Sequence, residues 1–414
     1  MLREFLLKID HKVVNKNKYT KKAFKVRAQH VFFACVVFCG TYGLYVYGPT
    51  LGSVVYSSTQ QAFPFTEDGV VEKEEVFVAT HMETPSAVKA LYMSGCAAAT
   101  PSFRSNLVTF IEETEINSVV IDVKDYSGRL SFTSEDAILA EAVSSECAVS
   151  DMKYFLASLH EKKIYTIARV TVFQDPYLTR TKPELAVKKN SDREAVWKDF
   201  KGLSFTDPGA LPVWEYHVQI AKESYALGFD EINFDYIRYP SDGPMNDIYY
   251  PWSDGRQKTV VMGEFFKYLH DELSPLGIVM SADLFGMTTT NADDLNIGQK
   301  LEVALPYFDY IAPMVYPSHY PKGFLGFENP AAYPYEVIKH SMTEGVKKVQ
   351  RFDATVASTS SLKLRPWIQD FNLGATYGAD KVRAQIQATY DSGLTSWMLW
   401  NASNRYTKEA LLAE

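Results

Sequence analysis

From about residue 88 onward, short apolar runs alternate with longer segments in which apolar positions recur every three or four residues. The short runs are rich in β-branched and aromatic residues and read as buried strands; the 3.6-residue recurrence reads as amphipathic helix. Strands are expected at 89–94, 118–123, 163–172, 231–235, 278–283, 310–314, 364–369 and 396–399. Helices are expected at 102–114, 151–162, 212–227, 257–273, 298–305, 334–351 and 379–392, with Ser102 and Asp151 placed to cap the first two. Strict alternation of strand and helix implies a parallel sheet. Eight such units over roughly 325 residues favour a closed (β/α)8 TIM barrel over an open doubly wound sheet.

The pattern before residue 88 is different. Residues 31–47 carry no charge, and the apolar, uncharged stretch extends to about residue 55 before polar residues set in, enough to cross a bilayer's hydrocarbon layer. Residues 1–30 hold nine Lys/Arg against two Asp/Glu. The positive-inside rule then keeps the N-terminus cytoplasmic and exports the rest of the chain, to the periplasmic or extracellular side. A cleaved signal peptide is the alternative, but the basic and apolar stretches are both long for one. The expected partition is a basic tail (1–30), a transmembrane anchor in the lipid bilayer (31–55), a polar, acidic stalk (56–87) and the barrel (88–414).

The net charge of −8 conceals an acidic body, which argues against nucleic acid as a partner. No GxSxG, P-loop or dinucleotide glycine pattern appears, and no Cys/His cluster has metal-ligand spacing. No cofactor or metal is expected. Of the four cysteines, Cys96 and Cys147 fall at the same rim of the barrel. A disulfide between them is expected in an exported domain, with two free thiols as the alternative.

Strand parity adds the chemistry. Successive side chains alternate between faces, and the helix-covered outer face must be apolar. Asp122, Lys124, Arg169, Asp235 and Asp283 therefore turn inward at one end of the barrel. Tyr316, Trp367 and Trp400 also turn inward, Asp370 and Asn401 lie at strand exits, and Arg238 follows strand four. Tyr236 is expected outside. Glycoside hydrolysis needs two carboxyls flanking the bond, and Asp235 and Asp283 on neighbouring strands are the candidate pair. Asp122, Lys124, Arg169, Arg238, Tyr316, Trp367, Asp370, Trp400 and Asn401 are candidate substrate contacts. The competing reading is a structural network in which Lys124 and Arg169 neutralise Asp122 and Asp235.

Several motifs in order carry a family resemblance: VVIDVKDYSG (119–128), IYTIARVTVFQDPYL (164–178), PELAVK (183–188), GLSFTDP (202–208), LGFDEINFDYIRYPSDG (227–243), IAPMVYPSHY (311–320), LRPWIQDF (364–371) and WMLWNASN (397–404). Over about residues 87–406 the chain resembles a bacterial family described as putative glycosyl hydrolase domains, which implies a TIM barrel. Chitinase-type barrels carry DxxDxDxE on strand four; here the frame reads Asp230, Asn233, Asp235, Ile237, so that mechanism does not carry over. The layout is more similar to retaining barrels, which implies Asp235 as nucleophile and Asp283 as acid, with Asp370 in reserve. The expected function is a membrane-anchored glycoside hydrolase acting on an envelope or extracellular polysaccharide. The alternative is a non-catalytic carbohydrate-binding or cell-wall scaffold protein.

Overall fold

In the computed structural model, eight parallel strands close on themselves: β1 (Lys89–Met93), β2 (Ser118–Lys124), β3 (Tyr165–Thr171), β4 (Glu231–Asp235), β5 (Val279–Phe285), β6 (Tyr310–Met314), β7 (Trp367–Gln369) and β8 (Trp397–Trp400). Each strand pairs with its neighbours in sequence, and β1 closes the ring against β8. Residues 77–353 and 360–413 are described. The expected tail and anchor, and the stalk up to residue 76, lie outside them. Among the described residues no helix is long and apolar enough to cross a membrane.

The helices between successive strands include α1 (Pro101–Glu112), α2 (Met152–Glu161), α3 (Leu211–Leu227), α4 (Lys258–Leu273), α5 (Leu301–Ala304), α6 (Pro334–Asp353) and α7 (Ala379–Asp391). Their apolar stripes meet the outward residues of the strands, such as Val119, Ile121, Ile232, Phe234, Met280 and Ala282, in one core. A second, smaller core fills the barrel itself, with Ala90, Val120, Ile167, Ala312 and Met398 among its members. The expected alternation of faces is thus what builds the two cores.

Local chemistry sets the boundaries. Thr100, not Ser102, precedes α1, because Pro101 takes the first helical position, where its missing N–H costs nothing. Asp151 stands at the start of α2 but makes no capping bond; its carboxylate instead takes both Nη atoms of Arg104, at 2.9 and 2.8 Å. Gly228 ends α3 at φ 112°, a left-handed conformation that costs glycine little. β7 is shorter than the apolar run suggests, since Pro366 cannot donate to the ladder.

The barrel has a sealed end and an open end. At the sealed end Arg365 pairs with Glu231 at 2.8 Å, and Tyr165 donates to the same carboxylate. Residues 77–87, expected as part of a loose stalk, dock there: the Met82 amide bonds the Asp230 carboxylate at 2.6 Å and the His81 ring stacks on Tyr225. At the open end lie the long loops after β3 and β4. A two-residue antiparallel ladder, Lys188–Lys189 with Ile248–Tyr249, joins them. The buried Asp207 carboxylate fastens them further, accepting from the Gly209, Trp252 and Ser253 amides and the Ser253 hydroxyl. Cys96 and Cys147 form a disulfide.

Candidate active site

The open end is organised around one cation. Arg169 leaves the middle of β3 pointing into the barrel, almost wholly buried. Its Nη1 donates to Asp122 of β2 at 2.5 Å, its Nη2 ion-pairs with Asp235 of β4, and its Nε lies 3.8 Å from Asp283 of β5. Three carboxyls from three strands therefore meet one guanidinium. Phe234 pairs with Ala282, so the next residues, Asp235 and Asp283, stand side by side at the ends of adjacent strands.

The two carboxyls have different surroundings. Asp235 is ion-paired, and its other oxygen accepts the Tyr236 amide at 2.5 Å. Asp283 accepts from Asn233 Nδ2 at 2.9 Å and Trp367 Nε1 at 2.8 Å. Burial, reinforced by the nearby charge of Asp235, pushes the Asp283 carboxyl well above the usual carboxylate range; Arg169 and the two donors only partly oppose this. Both carboxyls line a cleft lobe of about 340 Å³, with Tyr316, His319 and Arg238 among its other walls. A wider lobe of about 680 Å³ shares Arg169, Tyr236, Arg238 and Trp400 with it. Gly286 belongs to the floor of the smaller lobe: a Cβ there would meet the Met314 carbonyl oxygen at 2.5 Å.

Comparison with known proteins bears on the barrel as a whole. A family model described as a putative glycosyl hydrolase domain matches residues 90–406. The chain belongs to this family. No curated protein matches the sequence. Among solved structures, a hypothetical protein from Ruminiclostridium thermocellum ATCC 27405 is 34% identical over 47% of this chain and 96% of its own, with a TM-score of 0.42. The PgaB (BpsB) glycoside hydrolase domain from Bordetella bronchiseptica is 13% identical over 76% of this chain and 94% of its own, at a TM-score of 0.50. α-L-Fucosidase isoenzyme 2 from Paenibacillus thiaminolyticus is 11% identical over 79% of this chain and 47% of its own, at 0.53. The last two similarities speak to the fold alone.

Within this glycosyl hydrolase-like barrel, the expected site residues divide. Asp122, Arg169, Asp235, Arg238, Asp283, Tyr316 and Trp400 line the cleft. Trp367 lies behind it, holding Asp283. Lys124 does not reach it. The β2–β3 register slips between Asp122 and Lys124, pairing Lys124 with the outward-facing Val170. Lys124 is thereby turned out of the barrel, where it pairs with Asp175 at 2.8 Å and donates to the Thr171 carbonyl. Asp370 and Asn401 are also taken up elsewhere. The Asp370 carboxyl holds the Thr407 amide and hydroxyl, and Asn401 Nδ2 donates to the carbonyls of Asp370 and Arg405.

Three residues of the site escape the sequence reading. Tyr92 of β1 donates to Asp122 at 2.5 Å, and its ring lies 4.2 Å from that of Trp400. Asn233 faces inward two residues before Asp235, but nothing in the sequence signals its bond to Asp283. Tyr236 was expected outside, yet it lines both lobes. It adopts φ 53°, a left-handed conformation that breaks the alternation one residue after the strand ends.

Proposed function

We propose that the chain is a retaining glycoside hydrolase acting on a polysaccharide, with Asp235 as nucleophile and Asp283 as acid and base. The observation that carries this reading is the division of environments: one carboxyl ion-paired to Arg169, the adjacent one buried and pushed toward its protonated form. A carboxyl held toward its protonated form beside an ion-paired one suits two different roles. Placement side by side on neighbouring strands also favours the short separation of retaining enzymes.

In the first step Asp283 gives its proton to the glycosidic oxygen while the Asp235 carboxylate forms a bond to the anomeric carbon and the leaving sugar departs. In the second, Asp283, now ionised, takes a proton from water; the water oxygen attacks the same carbon, the bond to Asp235 breaks and Asp283 is again protonated. Arg169 would orient Asp235 and Asp122. Asn233 and Trp367 would fix Asp283, and Tyr316 and Trp400 offer aromatic surface to a sugar ring.

The basic residues 1–30 and the uncharged run 31–55 support an anchored chain whose barrel meets envelope or extracellular polysaccharide. A second reading, a glycan-binding barrel without turnover, is favoured by one observation: Arg169 engages all three carboxyls, as a structural network would. A screen of reducing-end release from a polysaccharide panel separates the two. Hydrolysis by wild type and a loss of about a thousandfold or more in a folded Asp235→Asn variant is the expected outcome. Glycan binding without turnover of any polysaccharide would favour the second reading.

A further inference from the structure

We propose that Arg238 forms an anion subsite in the smaller lobe, so that the glycan taken by this site carries a carboxylate or phosphate beside the bond presented to Asp235 and Asp283. The substrate class rests on the hydrolase reading above; the subsite itself rests on Arg238.

Arg238 is 8% exposed and lies three residues beyond Asp235. Among the described residues Arg169 and Arg365, similarly buried, each have a carboxylate within ion-pair distance, whereas Arg238 has none. Among the described residues its side chain makes one hydrogen bond, from Nη1 to the carbonyl of its own neighbour, Tyr239, at 3.0 Å. That bond ties no distant elements together. Its remaining N–H groups are not sealed in: they are absent from the buried, unpartnered atoms that include the Nε of Arg169 and of Arg365. Since Arg238 lines both lobes, those groups open onto the cleft.

The surroundings select the ligand's geometry. The guanidinium carbon lies 5.0 Å from the centre of the Tyr236 ring, 4.9 Å from Phe285 and 5.8 Å from Phe205. Rings packed around the group leave its hydrogen-bonding edge to the cleft. That edge is a planar fork matched to a carboxylate or phosphate. Burial lowers the Arg238 pKa; Tyr236 opposes this first, followed by Asp235, Asp242 and Asp199, none of them within ion-pair distance. A buried cation without a contacting anion is costly, and an anion from the ligand would offset that cost. The carboxyls of the smaller lobe would not repel it strongly. Asp235 is already paired to Arg169, and Asp283 favours its neutral form. Asp122, Asp125, Asp199 and Asp242 line only the wider lobe.

The test measures binding rather than turnover. Titrations of the full chain would compare D-glucuronate, D-galacturonate and glucose 6-phosphate with D-glucose, D-galactose and the neutral D-glucuronamide. At least one acidic sugar should bind about tenfold or more tightly than its neutral counterparts, a difference of about 1.4 kcal/mol. Arg238→Gln should erase that preference and Arg238→Lys retain part of it. The uronates and the sugar phosphate tell the two anion sources apart. Equal binding of acidic and neutral sugars by wild type, or a preference that survives in Arg238→Gln, would overturn the subsite. Should Arg238→Gln fail to fold, the wild-type comparison with glucuronamide still decides. An Arg238-dependent preference without hydrolysis of any glycan would keep the subsite and remove the hydrolase reading. Hydrolysis that depends on Asp235 without any preference for acidic sugars would do the reverse.

Discussion

At the scale of single residues, Asp283 is where environment is turned into chemistry. Its carboxyl is pushed up first by burial and next by the charge of Asp235, while Arg169, the Asn233 amide and the Trp367 indole pull the other way. An acid catalyst must hold its proton, so activity falls as pH rises through this raised pKa, and the alkaline limb of the kcat/KM profile belongs to Asp283. Replacing Trp367 with Phe removes a donor that favours the ionised form, so that limb moves to higher pH. Asp283→Asn lowers the rate by about 10²–10⁴-fold on a natural glycan and much less on a sugar with an activated aryl leaving group, which needs little protonation. In that variant the alkaline limb disappears. A pH–rate series on the three proteins checks these outcomes; an unmoved limb in Trp367→Phe would separate the indole from the titration of Asp283.

At the scale of elements, the strands were legible because each is a short apolar run and each must hide one face under helices. That constraint sufficed to turn Arg169, Asp235, Asp283, Tyr316, Trp367 and Trp400 inward. It failed where the backbone leaves the regular ladder. The slip in β2 turns Lys124 outward, and the left-handed Tyr236 swings its ring into the cleft; no pattern of apolar and polar residues encodes either event. Tyr92 was missed for a different reason, since in KALYM both faces are apolar enough that the strand's polarity is ambiguous. The left-handed turn makes its own prediction. Tyr236→Val adds β-branching at a position with φ 53° and should destabilise the fold by about 1–2 kcal/mol, whereas Tyr236→Gly should ease the backbone while losing the ring from the cleft. Thermal melts should therefore rank Val below Gly; the opposite order would mean that backbone strain at this left-handed position does not set its stability.

At the scale of the whole molecule, the barrel divides labour between its ends. The Glu231–Arg365 pair and the docked residues 77–87 close one end. The long loops, fastened by Asp207 and the Lys188–Lys189 ladder, frame the other. The basic residues 1–30 followed by the uncharged run 31–55 predict that the full chain sediments with membranes and resists carbonate extraction; recovery in the soluble fraction would contradict an uncleaved anchor. Retaining hydrolysis, however, turns on a transient bond between enzyme and sugar. Incubation with 2-deoxy-2-fluoro glycosyl fluorides, which form the glycosyl-enzyme faster than it breaks down, followed by peptide mass spectrometry, tests it most directly. A glycosyl adduct on the peptide containing Asp235 is the expected result. An adduct on another carboxylate such as Asp122, or turnover of natural substrate with inverted anomeric configuration, would contradict it.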